Sequence, residues 1–515
     1  MKTMKQRRIW KAISCLLLCA LLLGMLASCK KAEADCEAGD KGDGENLMAG
    51  ILGESASGST LLADQSQYFE NPFISTSEQP ISTFSADVDT ASYGLFRKLI
   101  SSGSDLKALQ NQSRSFRTEE MVNYFSYDYP MPEAGEVFGH KATVIPSPWN
   151  GETYLMVMGL TTEPIQEKGA NNLVFLIDVS GSMASEDKLP LLQNAFGTLV
   201  SSLDERDTVS VVTYSGQEAV ILDGVSGDRD GEILSAVRAL RASGATNGQS
   251  GLQKAYELAA KHFLKDGNNR IILASDGDLN VGISSPDELK SYISQKRGEG
   301  IYLSVMGFGT GNYRDDTMSA LAQNGNGVYY YIDCASEAEN VMGRDLLSTL
   351  YTVAKDVKLQ ITFDPIAVSE YRLIGYENRL LNTEDFNDDT RDGGEVGAGH
   401  SLTVCYELKL TEAASAKEEN PQSLATLAIR YQPPTGGDSI LKEIPLTAEL
   451  ITDTPDDDTK FASVVIRMAM LLHKSDYLVE NTTLTTLLEE LQTIDLGGDP
   501  AKLEFKALLQ TLATR

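Results

Sequence analysis

Between Asn172 and Val353, short continuous apolar runs alternate with helical patterns, and this alternation constrains the fold more than any other feature of the chain. Leu173-Val-Phe-Leu-Ile177, Thr208-Val-Ser-Val-Val-Thr-Tyr214, Arg270-Ile-Ile-Leu-Ala274, Ile301–Met306 and Gly327–Ile332 read as strands, with Ala219–Leu222 as a short edge neighbour. Runs that are apolar at consecutive positions suit strands covered on both faces, as in a parallel sheet. Helical segments fall between them at Leu189–Leu203, Asp230–Leu240, Ser250–Phe263, Pro286–Lys296 and Arg314–Gln323, and a last helix runs from about Ser336 to Val353. This spacing predicts an α/β, doubly wound sheet with helices on both faces. Its right-handed crossovers bring the loops after the strands to one edge, where ligands of such sheets bind.

Three of those loops carry oxygen ligands. The first strand ends in Asp178-Val-Ser180-Gly-Ser182, the loop before Ser250 contains Ser243-Gly-Ala-Thr246, and the strand at Arg270 ends in Ser275-Asp276-Gly-Asp278. Gly181, Gly244 and Gly277 allow the sharp turns that bring short side chains together. Hydroxyls and carboxylates without His or Cys suit Mg²⁺ or Mn²⁺, and less strictly Ca²⁺. The four histidines (His140, His262, His400, His473) are scattered, and none has a partner at metal-ligand spacing.

Asp178-x-Ser180-x-Ser182, Thr246 and Asp276 together resemble the metal-ion-dependent adhesion site of von Willebrand factor type A (VWA) domains. The resemblance implies that Ser180, Ser182 and Thr246 bind the ion directly, that Asp178 and Asp276 act mostly through waters, and that a carboxylate of the partner completes the octahedron. A wider resemblance spans Ile81 to Leu450, through Thr83-Phe-Ser-Ala-Asp-Val-Asp-Thr-Ala-Ser-Tyr93, Leu189-Pro-Leu-Leu192 and Leu373-Ile-Gly-Tyr-Glu-Asn378. These segments are similar to a bacterial family of secreted, often lipid-anchored proteins with one VWA domain between two family-specific flanks. In related domains, movement of the last helix changes the metal site. The resemblance therefore implies coupling from that helix into the flank that follows it.

The flanks read differently from the centre. Ala86–Leu99 and Arg117–Phe125 look helical, and Thr153–Met158 alternates like a strand. Val357–Phe363, Leu402–Leu410 and Ala425–Tyr431 alternate polar and apolar residues, as strands of a half-exposed antiparallel sheet do. The tail from Phe461 carries an apolar helical stripe at Val464, Val465, Met468, Leu471 and Leu472. The expected fold is thus a Rossmann-like VWA domain inserted in a β-rich, sandwich-like host with a helical C-terminal tail.

The N-terminus reads as an address. Lys2, Lys5, Arg7, Arg8 and Lys11 precede an apolar run, Ala12–Ala27, that ends in Leu26-Ala-Ser-Cys29. A basic start and a short apolar stretch describe a secretory signal, and the run is short for a membrane span, which needs roughly 20 residues. Leu-Ala-Ser-Cys resembles the lipobox of bacterial lipoproteins, which implies acylation of Cys29. Cleavage before it removes five cations and takes the formal net charge from −29 to −34. Cys36, Cys334 and Cys405 then remain, too few and too scattered for a disulfide framework. From Lys30 to about Pro80 the chain is a Gly-, Ser-, Ala- and acid-rich tether, in which the patch Tyr68–Phe73 could dock on the body.

Several functions are disfavoured. The acidity argues against nucleic acid, whose phosphates require a basic footprint. An Asp-first phosphatase needs a second Asp where Ser180 stands, and Gly399-His-Ser-Leu-Thr403 fails the serine-hydrolase elbow. No phosphate-binding loop of the Gly-x₄-Gly-Lys-Ser/Thr type is present. Asp385-Phe-Asn-Asp-Asp389 begins like a calcium loop but has Thr390 and Val396 where Gly and Glu are needed.

The expected organisation is a signal at 1–28, lipidated Cys29 and tether at 29–80, an N-terminal flank at 81–165, the VWA domain at 171–352, a β-rich domain at 356–450 and a helical region at 459–515. The expected function is non-enzymatic. A bacterial envelope lipoprotein, held to the membrane only by its lipid, binds a protein or peptide carboxylate through Mg²⁺ or Mn²⁺. The competing classes are a metal-assisted hydrolase, for which only Asp278 or Glu186 is near enough in sequence to act as a base, and an envelope-assembly scaffold with a structural metal.

Overall fold

The computed structural model describes residues 68–515, apart from 166–167, 216, 245–248, 278–285, 310–314, 392, 416–421, 435 and 480–481. The expected signal, Cys29, Cys36, most of the tether, Thr246 and Asp278 lie outside the described residues.

Among the described residues four strands precede the central sheet: β1 (Ile74–Ser75), β2 (Ile81–Ser85), β3 (Gly139–Pro146) and β4 (Tyr154–Thr161). The central sheet contains β5 (Asn171–Asp178), β6 (Thr208–Ser215), β7 (Gln217–Ser226), β8 (Asn268–Ser275), β9 (Tyr302–Phe308) and β10 (Tyr329–Ile332). Its order is β10-β9-β8-β5-β6-β7, parallel throughout except for the antiparallel edge strand β7. Every residue of β5 is buried. Leu173, Phe175 and Ile177 enter one core while Val174 and Leu176 enter the other, so the continuous apolar run serves both faces of the sheet.

After the central sheet come β11 (Thr352–Phe363), β12 (Val368–Ile374), β13 (Gly394–Gly397), β14 (Ser401–Leu410), β15 (Ser423–Gln432) and β16 (Ile440–Thr447). These strands pair with the ones before the insertion. One sheet has the order β1-β12-β14-β4-β3, and the other β13-β11-β15-β16 with β2 also on β11. Phe84, Met156, Met158, Leu359, Ile361, Val404 and Tyr406 share the core between them. Both flanks therefore build the host, as the alternating patterns predicted.

The chain enters and leaves the central sheet at one place. The Tyr351 hydroxyl donates to the Gly169 carbonyl at 3.0 Å, and the Asn171 side-chain amide donates to the Tyr351 hydroxyl at 3.2 Å. The last helix of this unit runs through Ala335–Asn340, a wider π turn at Val341–Asp345 and Leu346–Leu350. Strand β11 starts at Thr352, earlier than the predicted Val357, so a single residue separates helix from host.

Two expectations need correction. Ala86–Thr90 is not helical; the helix begins at Ala91, and the carboxylates of Asp87 and Asp89 ahead of it are held by Arg379. The tail helix Asp457–His473 has no one-sided stripe, since every residue from Phe461 to Met470 is buried. It lies against the flank helix Thr118–Asn123 and the later helices Leu484–Leu491 and Pro500–Ala513, with Phe461, Phe125 and Phe505 in edge-to-face contact.

The docking patch left open by the sequence does dock. Tyr68 stacks on His473 with ring centroids 3.7 Å apart, Asn71 donates to the Leu373 and Gly375 carbonyls, and β1 pairs with β12.

Candidate metal centre

Strand β5 ends at the loop that matters most. Asp178 is fully buried, and its Oδ1 accepts from the Ser180 N–H at 2.8 Å. This local turn directs the Ser180 hydroxyl towards Ser182, and the two oxygens lie 2.9 Å apart. Ser180 is buried, whereas Ser182 is exposed. The Ser275 hydroxyl, at the end of neighbouring β8, donates to Asp178 Oδ2 at 3.4 Å and accepts from the Gly277 N–H at 3.2 Å.

The second loop is tied to the first by backbone. Gly181 N–H donates to the Gly244 carbonyl at 3.1 Å, and Ser243 N–H to the Val179 carbonyl at 2.7 Å. Ser215 Oγ donates to the Ser243 carbonyl. Gly244 has φ +83°, and a Cβ there would come within 2.8 Å of that hydroxyl, so glycine is needed on both counts. Thr246, two residues on, lies outside the described residues.

The third loop brings Asp276, only 4 % exposed. Its two oxygens have different environments. Oδ2 accepts from Lys188 Nζ at 2.8 Å, and that ammonium also donates to the Ser182 carbonyl at 2.9 Å. Oδ1 is buried and has no hydrogen-bond partner among the described residues. A buried carboxylate oxygen left bare is costly unless something binds it. Burial, with the charge of Asp276 adding to it, pushes the Asp178 carboxyl up to about 6. The backbone and hydroxyl hydrogen bonds from Ser180 oppose that shift.

Four of the five predicted ligands, Asp178, Ser180, Ser182 and Asp276, thus meet at one sheet edge. Two buried acids, two hydroxyls and an unsatisfied oxygen make a donor set that suits a small, hard dication. The residue that the sequence reading missed is Lys188. A lysine six positions past Ser182, just before the helix Leu189–Val200, was the available signal. Glu186, weighed as a base, is exposed.

A second acidic group lies elsewhere. Oxygens of buried Asp87, Asp89 and Glu120 come within 4.8 Å of one another. Arg379 donates to Asp87 at 2.7 Å and to Asp89 at 3.2 Å, and Arg117 donates to Glu120 at 2.9 Å. Asp89 also accepts from the Tyr329 N–H of β10 at 2.9 Å. Guanidinium groups already fill this cluster, which ties the N-terminal flank, the central sheet and the host together. The Asp385 segment holds a 3₁₀ turn capped by Asn382, whose N–H donates to the Asp385 carboxylate at 2.9 Å, and Asp389 pairs with Arg430. Neither supplies a calcium loop.

Comparison with known proteins places the chain. It is 38 % identical over 468 residues to "Uncharacterized protein YfbK" of Escherichia coli K12, covering 86 % of this chain and 80 % of that protein. The chain belongs to the YfbK family. The family profile described as "Uncharacterized protein YfbK, C-terminal" matches residues 348–514, and that of the von Willebrand factor type A domain matches 172–344. A further profile described as von Willebrand factor matches 63–157. The YfbK-type C-terminal match therefore takes in β11–β16 and the three final helices together. Human inter-alpha-trypsin inhibitor heavy chain H3 is 26 % identical over 267 residues, 48 % of this chain and 29 % of that protein. Among solved structures, "von Willebrand factor type A from Catenulispora acidiphila" aligns with 76 % of this chain and 89 % of its own, at 16 % identity and a TM-score of 0.42.

Proposed function

We propose that this protein binds a protein or peptide through a divalent cation, Mg²⁺ or Mn²⁺, held by Asp178, Ser180, Ser182, Thr246 and Asp276. The observation that carries this reading is the buried Oδ1 of Asp276, which has no hydrogen-bond partner among the described residues, on the loop beside Asp178 and the two serine hydroxyls. Ser180 and Ser182 supply neutral oxygens, Asp178 orients Ser180, and Asp276 offers its free oxygen to the ion or to a water on it. The bound cation supplies an open coordination position that takes a carboxylate of the partner. The acidity of the chain repels other acids, so the rest of the partner's contact surface should be neutral or basic. Among the described residues binding is favoured over hydrolysis, because Glu186 is exposed and Lys188, the ionisable group that bridges the loops, donates to Asp276 and Ser182; Asp278, the other candidate base, lies outside them. The resemblance of Leu-Ala-Ser-Cys29 to a lipobox supports a position outside the cytoplasm of a bacterial cell, with a lipid anchor on Cys29. The domain limits follow the sequence reading, with the VWA domain at 171–352 between the flanks.

Calorimetric titration of the chain from Lys31 onward with Mn²⁺ and Mg²⁺ tests the site. Binding that Asp178→Ala and Ser180→Ala both abolish is expected. Binding that survives both substitutions would place the ion elsewhere and remove the proposal.

A further inference from the structure

We infer that Lys188 is an internal counter-cation of this site, one that weakens the hold on a free divalent ion and leaves the loaded site electropositive for a partner's carboxylate. The inference rests on the metal-site reading above.

The position of the ammonium is set from several sides. Lys188 N–H donates to the Ser185 carbonyl and the Lys188 carbonyl accepts from Leu192 N–H, both at 3.0 Å, which fixes its backbone at the helix start. Its neighbour Asp187 is held by Lys98 at 2.7 Å, a residue of the N-terminal flank helix Ala91–Ser101. The aliphatic stem lies over Gly309 (φ +72°), where a Cβ would come within 2.3 Å of the Lys188 Cε. A side chain at that position would push the lysine stem aside. The side chain is 15 % exposed and its acceptor Asp276 is 5 % exposed, so this pair is poorly screened by water. An ordinary surface ion pair has neither this burial nor a second acceptor such as the Ser182 carbonyl.

The charge balance follows. Asp178 and Asp276 carry two negative charges between them, and Lys188 cancels one. A dication entering the site then leaves one positive charge in excess, where two unaccompanied carboxylates would leave none. The lysine holds Oδ2 of Asp276 and leaves Oδ1 free, so it does not block the ligand oxygen. Its charge repels the ion and attracts the partner. This couples ion retention to arrival of a carboxylate, since a third anion restores neutrality.

The test is Mn²⁺ titration of the wild-type chain, Lys188→Met, Lys188→Arg and Asp178→Ala, with no partner present. Lys188→Met should bind Mn²⁺ about tenfold or more tightly than wild type, Lys188→Arg should stay close to wild type, and Asp178→Ala should not bind. Binding by Lys188→Met where wild type shows none supports the inference equally. Wild-type binding that Asp178→Ala abolishes and Lys188→Met leaves equal or weaker overturns the role of Lys188 and spares the site. No binding by any of the four overturns both. Circular dichroism of Lys188→Met checks folding, and Lys188→Gln repeats the loss of charge should the methionine variant not fold. Acetate should raise the apparent Mn²⁺ affinity of wild type more than that of the lysine-lacking variant. An equal rise removes the carboxylate coupling.

Discussion

Arg97 grips Asp333 with two parallel hydrogen bonds, Nε to Oδ2 at 2.9 Å and Nη2 to Oδ1 at 2.5 Å, although 236 residues separate them. The same guanidinium reaches Glu337 on the last helix of the central unit and Glu504 on the C-terminal helix, at 2.8 and 2.9 Å. One arginine therefore joins the N-terminal flank, the end of β10 and the tail. The next residue, Lys98, reaches the loop that holds Lys188 through Asp187. A single short helix thus touches both the loop that carries Lys188 and the helix that leads into the host.

Arg97→Met should destabilise the protein by about 3–5 kcal/mol, because it strands two buried carboxylates without a cation. Urea unfolding of the two proteins measures it. A loss below about 1 kcal/mol would show that water reaches these acids.

Gly94 lies where the flank helix crosses β10, and a Cβ there would come within 2.7 Å of the Tyr331 carbonyl oxygen. Alanine favours helix by about 1 kcal/mol over glycine, but a backbone oxygen cannot swing aside. Overpacking costs of about 1–3 kcal/mol should win, so Gly94→Ala lowers the thermal midpoint. An unchanged or raised midpoint would contradict the close approach.

The Asp178 carboxyl, pushed up to about 6, gives a pH dependence of definite sign. The metal-free fold binds its proton more tightly than the unfolded chain, whose value is about 3.9. This group's contribution to stability is therefore full below about pH 4 and is lost as pH rises towards 6. The difference in stability between wild type and Asp178→Asn isolates that slope. Mn²⁺ affinity should run the other way, falling up to about tenfold per unit below pH 6 as protons compete with the ion. An affinity that stays constant between about pH 5 and 7 would sink this prediction.

Tyr68 closes over His473, and burial lowers that imidazole to about 4. The fold keeps His473 neutral, so wild type loses stability as pH falls from about 6.5 to 4. Tyr68→Ala should admit water, move the His473 titration towards about 6.5 in an NMR titration, and flatten that loss. The Tyr68 hydroxyl also donates to Glu377, itself pushed up to about 7 by burial, at 2.6 Å. A His473 titration unchanged in Tyr68→Ala would mean that residues other than Tyr68 bury it.

The alternating apolar runs, the Asp178-Ser180-Ser182 loop and the position of Asp276 after β8 were legible in the chain, because each depends on neighbours a few residues apart. A strand buried on both faces needs a continuous apolar run, and a turn opening a helix needs short polar residues and glycine. The sandwich host was legible only in outline. Its pairings, β2 with β11 and β4 with β14, join segments separated by the whole central unit, and a strand's own sequence does not name its partner. The Asp276 oxygen without a partner among the described residues, the lysine on its other oxygen and the grip of Arg97 on Asp333 exist only once the chain has closed. Local periodicity specifies which faces are apolar. Which charges meet between those faces is decided by packing, since burial makes an unpaired charge costly and so selects the pairs that tertiary structure can bring together.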